Sequence, residues 1–186
     1  MAHKNKVSQM LRMGIMDLMA LNKIDVISGT GSLSPGKKVK VVLNDGAEQE
    51  LTADAIILAT GSKNSVPPIP GILDNPNCID STGALNLEKI PESMVVIGGG
   101  VVGLEMTCAY AAFGTKVTVI EALPAMLPML DADLTKIGVK HLKKMGVKFY
   151  LECTVESIED DVAGAGVICR TSKGEKIRLT VCHTRQ

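Results

Sequence analysis

Val95-Val96-Ile97-Gly98-Gly99-Gly100-Val101-Val102-Gly103-Leu104-Glu105 is the stretch whose reading decides the fold: a buried strand turning through G-x-G-x-x-G into a helix. Each glycine of the spacing has a mechanical role. Gly98 allows the tight turn, Gly100 leaves room for a pyrophosphate against the backbone, and Gly103 lets the helix pack closely on the strand. The helix N-terminus adds N–H donors and positive potential, so main chain can hold a diphosphate. The whole turn, with Gly99, Val101, Val102, Leu104 and Glu105, is read as the nucleotide-contacting segment. Downstream, Glu121 ends the strand KVTVIE, where a carboxylate can accept hydrogen bonds from both adenosine ribose hydroxyls. The same charge repels a 2′-phosphate, and Ala122-Leu123 offers no arginine to bind one, so NAD(H) is expected in preference to NADP.

Working outward, Met94–Ile97 reads as a strand, Val101–Phe113 as a helix, Lys116–Ile120 as a strand, Asp133–Met145 as a helix and Val147–Leu151 as a strand. This is βαβαβ, which implies a parallel sheet with right-handed crossovers. Val102, Met106, Ala109, Tyr110 and Phe113 share one face of the first helix, and Gly114 and Gly146 can end the two helices in the left-handed conformation. The segments ESIED, GVICRTS and EKIRLTV suggest an added β-meander. Upstream, residues 7–21 place Met10, Leu11, Ile15, Leu18 and Met19 near one helical face, as core or interface fill. DVIS, KVKVVL, EQELT and DAIILA read as short strands separated by SGTGSLSPGKK and NDGA. Ala55–Ala59, apolar on both faces, is expected to be a buried strand running into Thr60-Gly61-Ser62. The proline-rich Val66–Gly71 begins an extended connection, and the boundary is placed near Leu87–Pro91, giving units 1–87 and 88–186.

Composition narrows the function. Lysine plus arginine equals aspartate plus glutamate at 20 each, so no basic face for nucleic acid is implied. With 46% hydrophobic residues but no tryptophan, two tyrosines and two phenylalanines, the chain suits α/β layers better than an aromatic stacking platform. No run of eighteen apolar residues occurs, and MAHKNKVSQM has no secretory pattern, so a cytoplasmic protein without a membrane partner is expected. Cys78, Cys108, Cys153, Cys169 and Cys182 match neither a disulfide framework nor a zinc pattern and read as reduced thiols.

The segments IILATGS, STGALNLEKIPESMVVIGGGVVGLEM and VTVIEALPAMLP, in this order, resemble the pyridine nucleotide–disulfide oxidoreductases, and among them the dihydrolipoamide dehydrogenases. The resemblance covers nearly residues 4–178. It implies a Rossmann-like NAD-binding domain preceded by the C-terminal half of an FAD domain. It further implies flavin contacts from Gly31, of the GTG at Gly29–Gly31, and from Thr60, Gly61 and Ser62. Glu105 matches a glutamate that in the family lies near the nicotinamide and pairs with a lysine; the plainer reading is a carboxylate in the first turn of a helix, stabilised by the dipole. Val155 matches a position whose backbone approaches the adenine, although a strand valine is usually only packing.

In the complete family, electrons pass from a dithiol through a cysteine pair and FAD to NAD+. Here no CxxxxC, no first glycine fingerprint and no HPxxxE-like base are found, and His3, His141 and His183 do not replace them. The chain is therefore expected to be a central, C-terminally truncated fragment, with Thr180–Gln186 divergent and catalysis lost. The family is homodimeric and serves 2-oxo acid dehydrogenase or glycine cleavage complexes. Two alternatives stay open: a non-catalytic nucleotide-binding accessory to a partner chain that supplies the missing parts of the flavoprotein, and a piece of a related NADH oxidase or disulfide reductase.

Overall fold

The computed structural model describes residues 2–182, so His183 and the end of the divergent tail lie outside the described residues. Two compact units meet in sequence at Lys63 and Asn64.

The first unit opens with helix α1, Ala2–Leu21, none of whose residues is buried. It begins ahead of the apolar periodicity at 7–21, since Lys4, Asn5 and Lys6 carry no apolar signal yet continue the backbone ladder. Met10, Leu11, Ile15 and Leu18 are all exposed, so among the described residues this face is not core. An antiparallel meander follows: β1 Gly29–Ser34, β2 Lys38–Leu43 and β3 Glu48–Thr52, in the order β1-β2-β3. The second turn is set by Gly46 at φ 88° and by Asp45, whose Oδ1 accepts from Ala47 N at 3.0 Å.

Three sequence expectations fail in this unit. GTGSLS, read as a separator, is β1, and DVIS is not a strand. With two glycines and three hydroxyl residues the segment has no apolar alternation; pairing with β2, Gly31 opposite Val41, makes it a strand. Ala55–Ala59 is no strand either, and Ile57 is 89% exposed. A strand apolar on both faces needs neighbours on both sides and layers above and below, and no described strand pairs with it.

The second unit is layered. Asn64–Glu92 is folded rather than merely extended: Asp80 caps the short helix α2, Ser81–Ala84, accepting from Gly83 N at 2.8 Å. Asn75, 5% exposed, donates to Asp160 Oδ1 at 2.8 Å and so ties the connection to the meander of the same unit. Then come β4 Ser93–Ile97, α3 Val101–Ala112, β5 Lys116–Ile120, α4 Ala132–Lys144 and β6 Lys148–Tyr150. The three strands are parallel in the order β4-β5-β6, which is the expected βαβαβ sheet. Gly114 and Gly146 close the helices at φ 91° and 89°. The expected meander is β7 Cys153–Asp161, β8 Gly164–Thr171 and β9 Lys176–Cys182, all antiparallel.

Strand β5 is the shared wall of two cores. Val117 and Val119, 2% and 0% exposed, face a cluster with Leu104, Tyr110, Met126, Leu142 and Val147. Ile120 faces Cys153, Val155, Val167 and Cys169 of the meander. This is period-two alternation with both faces covered. On α3 the buried residues are Leu104, Thr107 and Tyr110, while Val102 and Phe113 of the predicted face are exposed. The helix is apolar nearly all round, so spacing alone cannot locate its inner stripe.

The described cysteines are free thiols, Cys153 and Cys169 buried and Cys108 exposed. Burial, and then the hydrogen bond with Cys153, push the Cys169 thiol up to about 12. Folded protein treated with iodoacetamide near pH 8 should label Cys108 rapidly and Cys153 and Cys169 only on denaturation; mass spectrometry showing equal labelling of all three would contradict this burial. Val119→Ala should lower stability by about 2 to 3 kcal/mol, from lost methyl burial plus a residual cavity, read from the urea midpoint.

Candidate functional site

The carboxyl ends of β4 and β5 carry the residues singled out in the sequence. β4 is followed directly by Gly98, whose N–H continues the ladder to Ile120 O at 2.8 Å while its φ of 106° turns the chain away. That region is open to glycine and strained for other residues. Gly100 is the N-cap of α3, at φ −76° and ψ 178°, with no side-chain cap bond. A Cβ placed on it would meet nothing within 4 Å, so the space over its backbone is open to a ligand. Gly103 is the opposite case, for a Cβ there would stand 2.5 Å from Gly98 O and 3.3 Å from Val96 Cγ1. The fingerprint glycines thus divide into one turn, one clearing and one close contact.

The backbone ladder of α3 begins with Leu104 N donating to Gly100 O at 3.0 Å, so the N–H groups of Val101, Val102 and Gly103 project from the helix end. Val101 and Val102 are exposed in that turn; Leu104 is 8% exposed, so its side chain is core. Glu121 follows β5 directly. Its Oε2 accepts from Gly99 N at 2.6 Å and its Oε1 from Leu123 N at 2.7 Å. Its own backbone is pinned by Glu121 N to Tyr150 O at 2.8 Å and Cys153 N to Glu121 O at 3.0 Å. Each carboxylate oxygen keeps further lone-pair capacity, so a preset acceptor stands at the mouth of the glycine turn.

Structure and sequence agree in bringing Gly98–Gly103 and Glu121 together. Glu105 is exposed in the second turn of α3, which has no acidic residue in its first turn, so the dipole account loses most of its force. Val155 lies in β7 at 9% exposure, facing the core and paired with Cys169 beside a register shift between Val155 and Ser157. In the other unit, Gly31 sits in β1 opposite Val41, and Thr60, Gly61 and Ser62 lie in an exposed irregular segment with Gly61 at φ 75°. The described residues of that unit do not by themselves enclose a flavin. His3 and His141 are exposed, and no group of three or more His, Cys, Asp or Glu able to hold a metal occurs among the described residues.

Sequence reasoning missed two contributors. Met126, 2% exposed, lies against Gly99, and Leu127 N donates to Gly99 O at 3.0 Å. The available signal was an apolar pair, Met126-Leu127, between Pro124 and Pro128. The second is Arg170, which lines a depression of about 320 Å³ next to Ala122. Its Nε donates to Glu156 Oε1 at 2.5 Å and its Nη1 to Gly174 O at 3.1 Å. The guanidinium holds the Glu156 carboxyl below its ordinary range, chiefly through that hydrogen bond.

Comparison with known proteins places these features in context. The family model described as pyridine nucleotide-disulphide oxidoreductase matches residues 2–183. A dihydrolipoamide dehydrogenase of Chaetomium thermophilum is 39% identical over 168 residues, 89% of this chain and 33% of that protein. The dihydrolipoyl dehydrogenase of Chlamydia trachomatis is 36% identical over 96% of this chain and 36% of its own length. Among solved structures, the Cu(II) complex of the HOCl-induced flavoprotein disulfide reductase RclA from Escherichia coli has a TM-score of 0.76 at 33% identity, covering 95% of this chain and 39% of that one. The chain spans about a third of the length of the curated relatives it matches.

Gly103→Ala should force α3 off β4 and cost about 1 to 3 kcal/mol, as overpacking does. A urea melt with an unchanged midpoint would show that the close approach is not maintained in solution.

Proposed function

Since the chain belongs to the pyridine nucleotide-disulphide oxidoreductase family, we propose that it is the central part of an FAD-dependent dihydrolipoamide dehydrogenase and retains mainly the NAD(H)-binding site. Dihydrolipoamide dehydrogenases use FAD and NAD. One observation carries the reading: the Glu121 carboxylate is held by two backbone N–H groups, at 2.6 and 2.7 Å, beside the open backbone of Gly100. A diphosphate fits over Gly100 and the first turn of α3, and a ribose diol fits the remaining lone pairs of Glu121.

The choice of NAD over NADP follows from charge. Glu121 repels a 2′-phosphate, and Arg170, the cation lining the neighbouring depression, is already engaged by Glu156 and Gly174 O. When bound, the nicotinamide supplies hydride acceptance and the flavin relays the electron pair from a disulfide centre. The residues of this chain bind and orient. Glu105, exposed on α3, would face the nicotinamide side of the site. In this reading the cofactor domains divide at Leu87/Glu88, residues 1–87 being the flavin part, to which Gly31, Thr60, Gly61 and Ser62 contribute. Neither the substrate dithiol chemistry nor turnover resides in this chain, and its setting is cytoplasmic, as part of a homodimer serving 2-oxo acid dehydrogenase or glycine cleavage complexes. No helix among the described residues is long and apolar enough to cross a membrane.

A second reading has one observation in its favour. Helix α1 leaves Met10, Leu11, Ile15 and Leu18 exposed, a face that further flavoprotein segments or a partner chain would cover. Under that reading the chain is a nucleotide-binding accessory rather than an enzyme part. A parent among NADH oxidases or other disulfide reductases would leave the nucleotide site as described.

Calorimetry with NADH and NADPH should show NADH binding the more tightly. Glu121→Ala should weaken NADH by roughly 10- to 100-fold, the range expected for lost charged hydrogen bonds. A folded sample that ignores NADH, or prefers NADPH, would overturn the assignment.

A further inference from the structure

We propose that Met126 and Gly99 form a matched pair that aims the Glu121 carboxylate, making Met126 a positioning residue for recognition of the unphosphorylated ribose; this rests on the nucleotide reading above. The connection between β5 and α4 is polar or exposed along most of its length, yet Met126 within it is 2% exposed and belongs to the helix-side core with Leu104 and Val119. An apolar side chain driven into the core from a surface loop anchors that loop. The following residue, Leu127, takes φ 48°, a left-handed conformation that a branched side chain rarely adopts. Such a backbone persists where the surroundings hold it, and here Leu127 N donates to Gly99 O at 3.0 Å.

The Gly99 peptide is consequently held from three directions. Its carbonyl accepts from Leu127, its N–H donates to Glu121 Oε2 at 2.6 Å, and its Cα faces the Met126 sulfur. A Cβ at position 99 would overlap Met126 Sδ and come within 3.1 Å of Glu121 Oε2 and 3.3 Å of Glu121 Cγ. A thioether can change rotamer, but one this buried moves only by displacing its neighbours or by pushing Gly99 away from Glu121. Position 99 is a free letter in the G-x-G-x-x-G spacing. In this chain its bulk is supplied from the other side, by residue 126.

The two positions should therefore compensate each other. In calorimetry with NADH and NADPH, Gly99→Ala should weaken NADH by roughly 5- to 20-fold while changing NADPH little, so that the preference between them falls. Adding Met126→Val, which makes room for the new methyl, should restore most of the NADH affinity and the preference. Should Gly99→Ala fold poorly by circular dichroism, Met126→Ala alone serves: it should lower the NADH preference several-fold, with Met126→Leu recovering it. An unchanged preference in the single variants, or a double variant no better than Gly99→Ala, overturns the pairing. Loss of NADH binding by the unaltered chain overturns the nucleotide reading itself, so the two failures are distinguishable.

Discussion

The second unit is built on the need to cover β5 on both faces. Val117 and Val119 point to the helices and Ile120 to the meander, and these residues are almost without solvent contact. A parallel strand in this position has its ladder satisfied by β4 and β6, and its side chains only where layers exist above and below. The helices and the antiparallel β7–β9 sheet supply those layers. With β5 fixed, its last residue and the one after it are fixed too, which puts the Glu121 backbone in bonds to Tyr150 O and from Cys153 N. The backbone position of Glu121 is thus inherited from the core, while its carboxylate is directed by the N–H groups of Gly99 and Leu123.

Much of this was legible beforehand because its signals are local. The strand–glycine–helix passage, the strand KVTVI and the glycines after α3 and α4 each state a backbone requirement in their own residues, and all appear where expected. The antiparallel meander was legible for the same reason. Features set by tertiary pairing were not. GTGSLS has nothing to mark it as a strand until β2 lies beside it, and AIILA has every mark of a buried strand without a described partner to make it one. The inner face of α3 was misread at Val102 and Phe113 because an almost wholly apolar helix has no moment to follow.

At the site, the division followed the same line. Gly98, Gly100 and Gly103 act through backbone geometry, and the sequence spacing carries that geometry. Glu121 was legible as an acid at a strand end, but the N–H groups that orient it, from Gly99 and Leu123, depend on how the following loop folds back. Met126 and Leu127, which make it fold back, announce themselves only as apolar residues between prolines. Arg170 is remote in sequence and arrives through the pairing of β7 with β8.

The β7–β9 sheet, described above as one of two coverings for β5, also closes the underside of the parallel layer. Under the nucleotide reading proposed above, a dinucleotide would be met at the rim where loops emerge from the strand tips, beside Gly100 and Glu121. Discrimination at a rim is exercised by the few groups standing on it, so on that reading a change of cofactor preference would lie within reach of one or two substitutions that leave the hydrophobic layers untouched.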